Sequence, residues 1–287
     1  MNAMNETVNQ ANQANQASKE SRELSEKARR EEQALPEGSA PLTDEEKAEL
    51  AENFARVRRQ IALAAKEAGR SDLPLLLAAT KTVEPRRINY AIRHLGLTDI
   101  GENRVQELLE KYPYYDKSAR LHFIGTLQKN KVKYIVDKVC LIHSVDSVAL
   151  GQEIEKQAEK KNVHVDVLLQ VNTGREPQKS GFFPEELQEA LDAFSAFSRV
   201  HVKGLMAVAP ICEKNSDYLR YFGETSQIFI DFSAKKRHNI DMSVLSMGMS
   251  DSLAPAVASG STLLRIGSAL FGKRDYKKNE PTELSSS

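Results

Sequence analysis

From residue 75 onward the chain repeats one pattern, a short apolar run followed by a stretch with helical spacing. Apolar runs occupy residues 75–79, 98–101, 121–125, 141–145, 163–171, 202–208, 244–247 and 263–266. Between them, apolar side chains recur at three and four positions in residues 85–95, 104–111, 130–139, 147–161, 184–197, 216–232 and 252–259. Such alternation predicts βαβ units and a parallel sheet. About eight strands is the number that closes a TIM barrel, so the expected fold class is α/β, a single (β/α)8 barrel. A doubly wound open sheet is the competing topology. Its dinucleotide-binding version is weakened because the first turn carries Lys81 instead of a GxGxxG run.

Order is expected to begin at Thr43. Thr43 and Glu46 have capping-box spacing, and Leu50, Phe54, Val57, Ile61 and Ala65 then line one helical face that runs to Gly69. Residues 1–42 hold an Asn-Gln-Ala repeat, a charged run and Pro36, Gly38 and Pro41. Too few apolar groups stand there to offset the entropy of ordering, so a disordered extension is expected, with a transient helix over 18–33. The barrel domain is expected at 43–274, and a flexible tail at 275–287.

Forty basic side chains balance forty acidic ones, which gives no electrostatic case for nucleic acid or an anionic membrane. Cys140 and Cys212 lie far apart without ligand spacing, which argues against a disulfide scaffold or a zinc site and for two thiols in a reducing compartment. No stretch approaches the roughly 20 apolar residues that span a bilayer, and the first residues lack a signal-peptide core. A cytoplasmic location is expected.

In a parallel barrel the active site forms where strands end and βα loops begin. Every unusual polar cluster falls at such an end. The first run exits as LLLAATKT, and a lysine desolvated there has a lowered pKa and a neutral amine able to attack an aldehyde. A lysine snorkelling from an ordinary strand end is the alternative. The seventh run ends in SMGMS, with Ser246, Gly248 and Met249, and the eighth reads LLRIGSALFG, with Gly267 and Ser268 opening a helix-like segment. Glycine lets backbone N–H groups approach an anion, and serine adds a hydroxyl. Tight turns use the same residues, but two such loops after strands seven and eight match the usual phosphate position. Arg265 stands between Leu264 and Ile266, where a guanidinium needs a partner. That partner is a phosphate, the ring nitrogen of a bound heterocycle, or a structural salt bridge.

GENRVQE, HFIGTLQKNK and QVNTGREPQKSGF also lie at strand ends, offering Asn103, His122, Gln128, Asn172 and Lys179 as pocket groups. Helix capping is the alternative for Asn103 and Gln128, and a satisfied core histidine is the better reading of His122. Glu102 is expected to pair with a neighbouring arginine if it is not in the pocket. Tyr112, Tyr114 and Tyr115 read as packing or interface.

Together ATKT, GENRVQE, HFIGTLQKNK, VNTGREPQKSGF, GLMAVA and LSMGMSDSLAPAVASGSTLLRIGSALFG resemble the pyridoxal phosphate homeostasis family (the YggS/PROSC proteins), in that family's order and over roughly residues 45–273. The resemblance implies an alanine-racemase-like barrel, PLP fold type III, without the second β-rich domain. It implies pyridoxal 5′-phosphate (PLP) as cofactor and Lys81 as the aldimine lysine. Ser246, Gly248, Gly267 and Ser268 would surround the phosphate, with Met249 in the same segment. Arg265 would face the pyridine nitrogen, and Asn103 would lie beside the ring. Lys179 corresponds to a second family lysine, a candidate acceptor of PLP during transfer. Leu121 departs from the aromatic residue usual before HFIG. Thr80 and Ser268 replace the commoner serine and threonine but keep the hydroxyl.

A PLP lysine raises the question of catalysis. Racemisation needs an acid or base on each face of the substrate α-carbon. In the racemase the second one comes from the β-rich domain and the partner subunit, and only about twenty residues follow the eighth run here. An arginine opposite the ring nitrogen also weakens the electron sink. The expectation is a non-catalytic carrier or buffer in vitamin B6 homeostasis, with a weak PLP-dependent racemase-type enzyme as the alternative. A PLP-independent phosphate-ester enzyme leaves Lys81 and Arg265 unexplained. Expected partners are PLP and apo PLP-dependent enzymes, with the chain a monomer or weak oligomer.

Overall fold

The computed structural model describes residue 36, residues 39–235 and residues 237–272. The disorder expected for 1–42 therefore falls mostly outside the described residues, and the tail at 275–287 wholly so. The first helix, α1 (Asp44–Glu67), starts where Thr43 Oγ1 accepts from the Glu46 amide and Glu46 reaches back to the Thr43 amide. It buries Leu50, Phe54, Val57, Ile61 and Ala65, the face its spacing predicts.

Eight parallel strands follow: β1 (Leu75–Ala79), β2 (Asp99–Glu102), β3 (Arg120–Phe123), β4 (Leu141–Val145), β5 (Val165–Val171), β6 (Val200–Ala207), β7 (Ile240–Ser246) and β8 (Leu263–Ile266). They close in sequence order, with β8 pairing back onto β1. The α-helices after α1 are α2 (Pro85–His94), α3 (Val105–Lys111), α4 (Val148–Lys161), α5 (Leu187–Phe194), α6 (Asn215–Ser233), α7 (Leu253–Ala258) and α8 (Ser268–Phe271). The main apolar core lies between strands and helices, and α1 packs on α7 and α8. The closed ring excludes the doubly wound alternative.

Three helical expectations are corrected. Residues 130–139 are not an α-helix: one 3-10 stretch, Lys129–Tyr134, is followed by turns. Val132, Ile135 and Val136 are buried all the same, so the helical spacing reports a buried face. Residues 184–197 split into a 3-10 turn, Pro184–Glu186, and α5, and 252–259 into a 3-10 turn, Ser250–Ser252, and α7. β7 begins four residues earlier than the apolar run, because Asp241 and Ser243 alternate outward on a half-exposed strand.

Along a strand, alternate residues face the interior. Leu141, Leu168 and Met206, with Val244, form a small apolar cluster separate from the main core. Leu77 pairs with Asp99 on one side and Arg265 on the other, Gly101 with His122, and Met206 with Ser246. Polar side chains thus occupy inward positions that bulky aliphatics usually fill in such barrels. Cys140 and Cys212 are free thiols. Among the described residues no helix is long and apolar enough to cross a membrane, and no cluster has metal-ligating composition.

Candidate site at the C-terminal mouth of the barrel

The inward-facing polar groups form one continuous chain of hydrogen bonds. Asp99 Oδ1 lies 2.8 Å from His122 Nε2, His122 Nδ1 lies 3.0 Å from His143 Nε2, and His143 Nδ1 lies 3.0 Å from Ser246 Oγ. Arg265 Nη1 donates to Ser246 Oγ at 2.6 Å and to the Ser246 carbonyl at 2.8 Å, and Nη2 donates to the Ala207 carbonyl at 2.9 Å. All five side chains are buried. The chain crosses from β2 through β3 and β4 to β7 and β8.

Each charge state along it has a physical cause. Burial pushes the Asp99 carboxyl up, but hydrogen bonds from His122, Arg120 and Thr98 outweigh it and bring it to about 2. His143 is held well below its ordinary 6.5 by burial, then by His122 and Arg265. Arg265 is brought down to about 10 by burial. Among the described residues no carboxylate lies within ion-pair distance of Arg265, so the structural salt bridge is not formed. His122 is the satisfied core histidine that its apolar setting favours. Asp99 and His143 escaped sequence reasoning. Their one local signal is a titratable residue at an inward-parity position of a strand.

Lys81 stands two residues past the end of β1 and is half-buried. Its neighbours hold it from both sides. The Thr80 hydroxyl donates to Glu102 Oε1 at 2.7 Å, and the Thr80 carbonyl accepts from Lys111 Nζ at 2.9 Å. Thr82 has φ 64°, an unfavourable left-handed conformation for a β-branched residue. Its amide donates to Glu107 Oε1 at 2.5 Å, and its hydroxyl to the Lys81 carbonyl at 2.6 Å. The sharp turn is therefore fixed by α3, which supplies Glu107 and Lys111. Glu102 faces this outer network and not the barrel interior. It pairs with Lys111 at 3.2 Å instead of an arginine and accepts from the buried Tyr115 hydroxyl at 2.6 Å. Burial, the largest influence, raises its carboxyl above the ordinary range against the pull of Lys111. Tyr115 thus anchors Glu102 as well as packing.

Across the β1–β8 seam, a Cβ added at Gly267 would lie 3.2 Å from the Ala79 carbonyl, so the loop after β8 sits directly against the strand that carries Lys81. Gly248, with φ 94°, is buried after β7, while Met249 and Ser268 are exposed. Asn103 follows β2, and its Oδ1 is buried with no hydrogen-bond partner. It caps no helix, since Arg104 occupies that position without a side-chain bond. Gly125 explains how Asn103 is placed. A Cβ there would lie 2.0 Å from the Asn103 carbonyl, so only glycine lets the loop after β3 come so close. Gln128 makes no side-chain cap either.

Lys179 lies elsewhere on the rim. It follows β5, four strands round the ring from β1, and its Nζ pairs with Glu176 at 2.5 Å. Asn172 donates to the Glu176 and Lys179 carbonyls at 3.0 and 3.2 Å, so it ties that loop together. The geometry thus brings Lys81, Gly267 and Arg265 together on the β1–β8 side, with Ser246 next to Arg265 and Asn103 on the neighbouring strand. Lys179 is set apart.

Residues 47–275 match the family described as alanine racemase, N-terminal domain. A pyridoxal phosphate homeostasis protein of Aquifex aeolicus is 42% identical over 227 residues, covering 78% of this chain and 98% of that one. The protein of the same name from Escherichia coli K12 is 36% identical over 236 residues, covering 80% and 99%. Among solved structures, PipY of Synechococcus elongatus with PLP bound superposes with a TM-score of 0.68 at 30% identity, covering 78% of this chain and all of that one. A diaminopimelate decarboxylase at 13% identity, with a TM-score of 0.62, shares the barrel fold.

Proposed function

The chain belongs to the pyridoxal phosphate homeostasis family, and from that membership we propose that it holds PLP on Lys81 at the barrel mouth, for storage and delivery. It binds PLP and takes part in PLP homeostasis. The observation that carries the site reading is the β1–β8 seam. Arg265 pairs with Leu77 across that seam, and further up it Gly267 lies against Ala79, two residues before Lys81.

The residues fit a flat anionic heterocycle. Arg265 offers a buried guanidinium whose protein partners are all neutral, and Asn103 Oδ1 is a buried acceptor awaiting a donor. Gly248, Met249, Gly267 and Ser268 line the loops where a phosphate is held, and Ser246 acts through its bond to Arg265. When bound, PLP supplies an aldehyde that a neutral primary amine attacks. The chain's own contribution is to hold Lys81 on a rigid turn and Arg265 toward the ring nitrogen. Lys179, paired with Glu176 on the far rim, serves as a second stop for departing cofactor.

Two features support carrying over catalysis. An arginine donor facing the ring nitrogen keeps that nitrogen unprotonated, which weakens the electron sink most PLP chemistry uses. The titratable groups inside the barrel, Asp99, His122 and His143, are bonded to one another and not presented to a substrate α-carbon. Apo PLP-dependent enzymes are the proposed recipients.

The test is transfer of bound PLP to an apo-enzyme, compared with spontaneous release, alongside α-deuterium exchange on a panel of amino acids. The carrier reading expects transfer faster than release, rising with acceptor concentration, and no exchange above that of free PLP. Equal transfer and release rates would exclude direct delivery, and exchange well above free PLP would make the protein an enzyme.

A further inference from the structure

The buried chain from Asp99 to Arg265 is longer than packing needs, and its hydrogen bonds have a direction. Asp99 is ionised and can only accept, so His122 Nε2 carries a proton. Where His122 Nδ1 is the acceptor of the next link, it accepts from His143 Nε2–H, and His143 Nδ1 accepts from the Ser246 hydroxyl. Every proton points away from Arg265. Ser246 Oγ is left showing only lone pairs to Arg265 Nη1. Reversing one link, by charging His122, would turn His143 over and aim its Nδ1–H at Ser246 Oγ.

We propose that Asp99, His122 and His143 form a positioning relay that fixes the polarity of Ser246, and through it the orientation of Arg265 toward the cofactor ring. The relay also answers how a guanidinium sits inside the barrel without a carboxylate beside it. The acidic end lies on β2, one strand beyond β1 from Arg265, where Arg120 Nη2 meets Asp99 at 2.9 Å, and the imidazoles and Ser246 carry its polarity round to Arg265. Coupled hydrogen bonds in a low-dielectric interior strengthen one another, and second partners that set an imidazole's tautomer are known to govern what its other nitrogen holds. The charged and titratable groups facing His122 are Asp99 from β2 and His143 from β4. Arg120 of β3 meets Asp99, and Arg265 of β8 is linked to His143 through Ser246. The proposal rests on the reading that Arg265 meets the ring.

The polarity is testable without cofactor. Long-range nitrogen–proton correlation of the imidazole rings in the full-length apoprotein should show His143 neutral and protonated at Nε2. A His143 signal protonated at Nδ1 would overturn the relay. In His122→Phe, which touches neither Arg265 nor Lys81, PLP release should quicken about tenfold and the bound-cofactor absorbance should shift. His122→Gln, whose amide can accept from His143 and donate to Asp99, should restore both. Unchanged release and absorbance in a folded His122→Phe would also refute the proposal. If Arg265→Gln leaves PLP binding unaltered while the Nε2–H tautomer is observed, the Arg265 reading fails, and with it the relay's role toward the cofactor, though its polarity stands.

Discussion

Arg265 Nη1 donates to the Ser246 hydroxyl at 2.6 Å, joining the last two strands of the barrel through a buried contact between a cation and a neutral partner. A guanidinium kept there costs desolvation, and the cost is tolerated for what the group does when a ligand arrives. Arg265→Met removes that cost, while leaving the Ser246 and Ala207 carbonyls one donor short. The expected outcome is an apoprotein within about 1 kcal/mol of the parent in urea unfolding, with PLP affinity reduced at least about tenfold.

Asp99 should report on acid stability. Its carboxyl is lowered from 3.8 to about 2 in the folded chain. A depressed acid contributes stability that is fully present above 3.8 and lost as pH falls toward 2. The contribution is about 2 kcal/mol at neutral pH. In Asp99→Asn, the part of the acid-unfolding curve between those values should flatten.

His143 acts at milder pH. Because its folded value lies well below 6.5, the unfolded chain takes up a proton that the folded chain refuses. Its stability contribution is complete above 6.5 and declines below, with a slope of up to about 1.4 kcal/mol per pH unit. Urea unfolding of the parent and of His143→Gln above and below that pH should show the slope reduced in the variant.

Gly125 should be intolerant of a methyl group. A Cβ 2.0 Å from the Asn103 carbonyl meets backbone, which cannot swing away. Gly125→Ala is expected to cost roughly 3 kcal/mol and to weaken PLP binding by moving Asn103. Differential scanning calorimetry and a PLP titration check the two parts separately.

The turn at Lys81 depends on α3. Glu107 Oε1 takes the Thr82 amide and Lys111 Nζ together. Glu107→Ala releases the left-handed Thr82, so hydrogen exchange at residues 80–83 should accelerate and PLP release should quicken several-fold. The barrel strands should keep their protection.

Much of the fold was legible because each strand announces itself locally. Leu75–Ala79 is an uninterrupted apolar run and Leu263–Ile266 is apolar but for Arg265, and the ends of both strands match those of the runs. β7 was cut short because Asp241 and Ser243 face outward on a half-exposed strand, so its first half reads as polar. Residues 130–139 misled in the opposite way, since Val132, Ile135 and Val136 bury a helically spaced face on a chain that is mostly turns. Lys81, Asn103, Gly267 and Arg265 could be singled out because each stands at a strand end or interrupts an apolar run. The chain behind them could not. The role of His143 depends on Ser246, 103 positions away, and that of Asp99 on His122, 23 positions away. Pairings so distant come from barrel closure and leave no local spacing to read.

The central claim, that Lys81 is where the cofactor is held, is tested most directly by borohydride reduction of the PLP-loaded full-length protein and mapping of the labelled peptide. The account predicts a pyridoxyl label on Lys81, with its absorbance band absent from Lys81→Ala. A parent labelled mainly at Lys179 or another lysine, or a Lys81→Ala variant with an undiminished band, would contradict it.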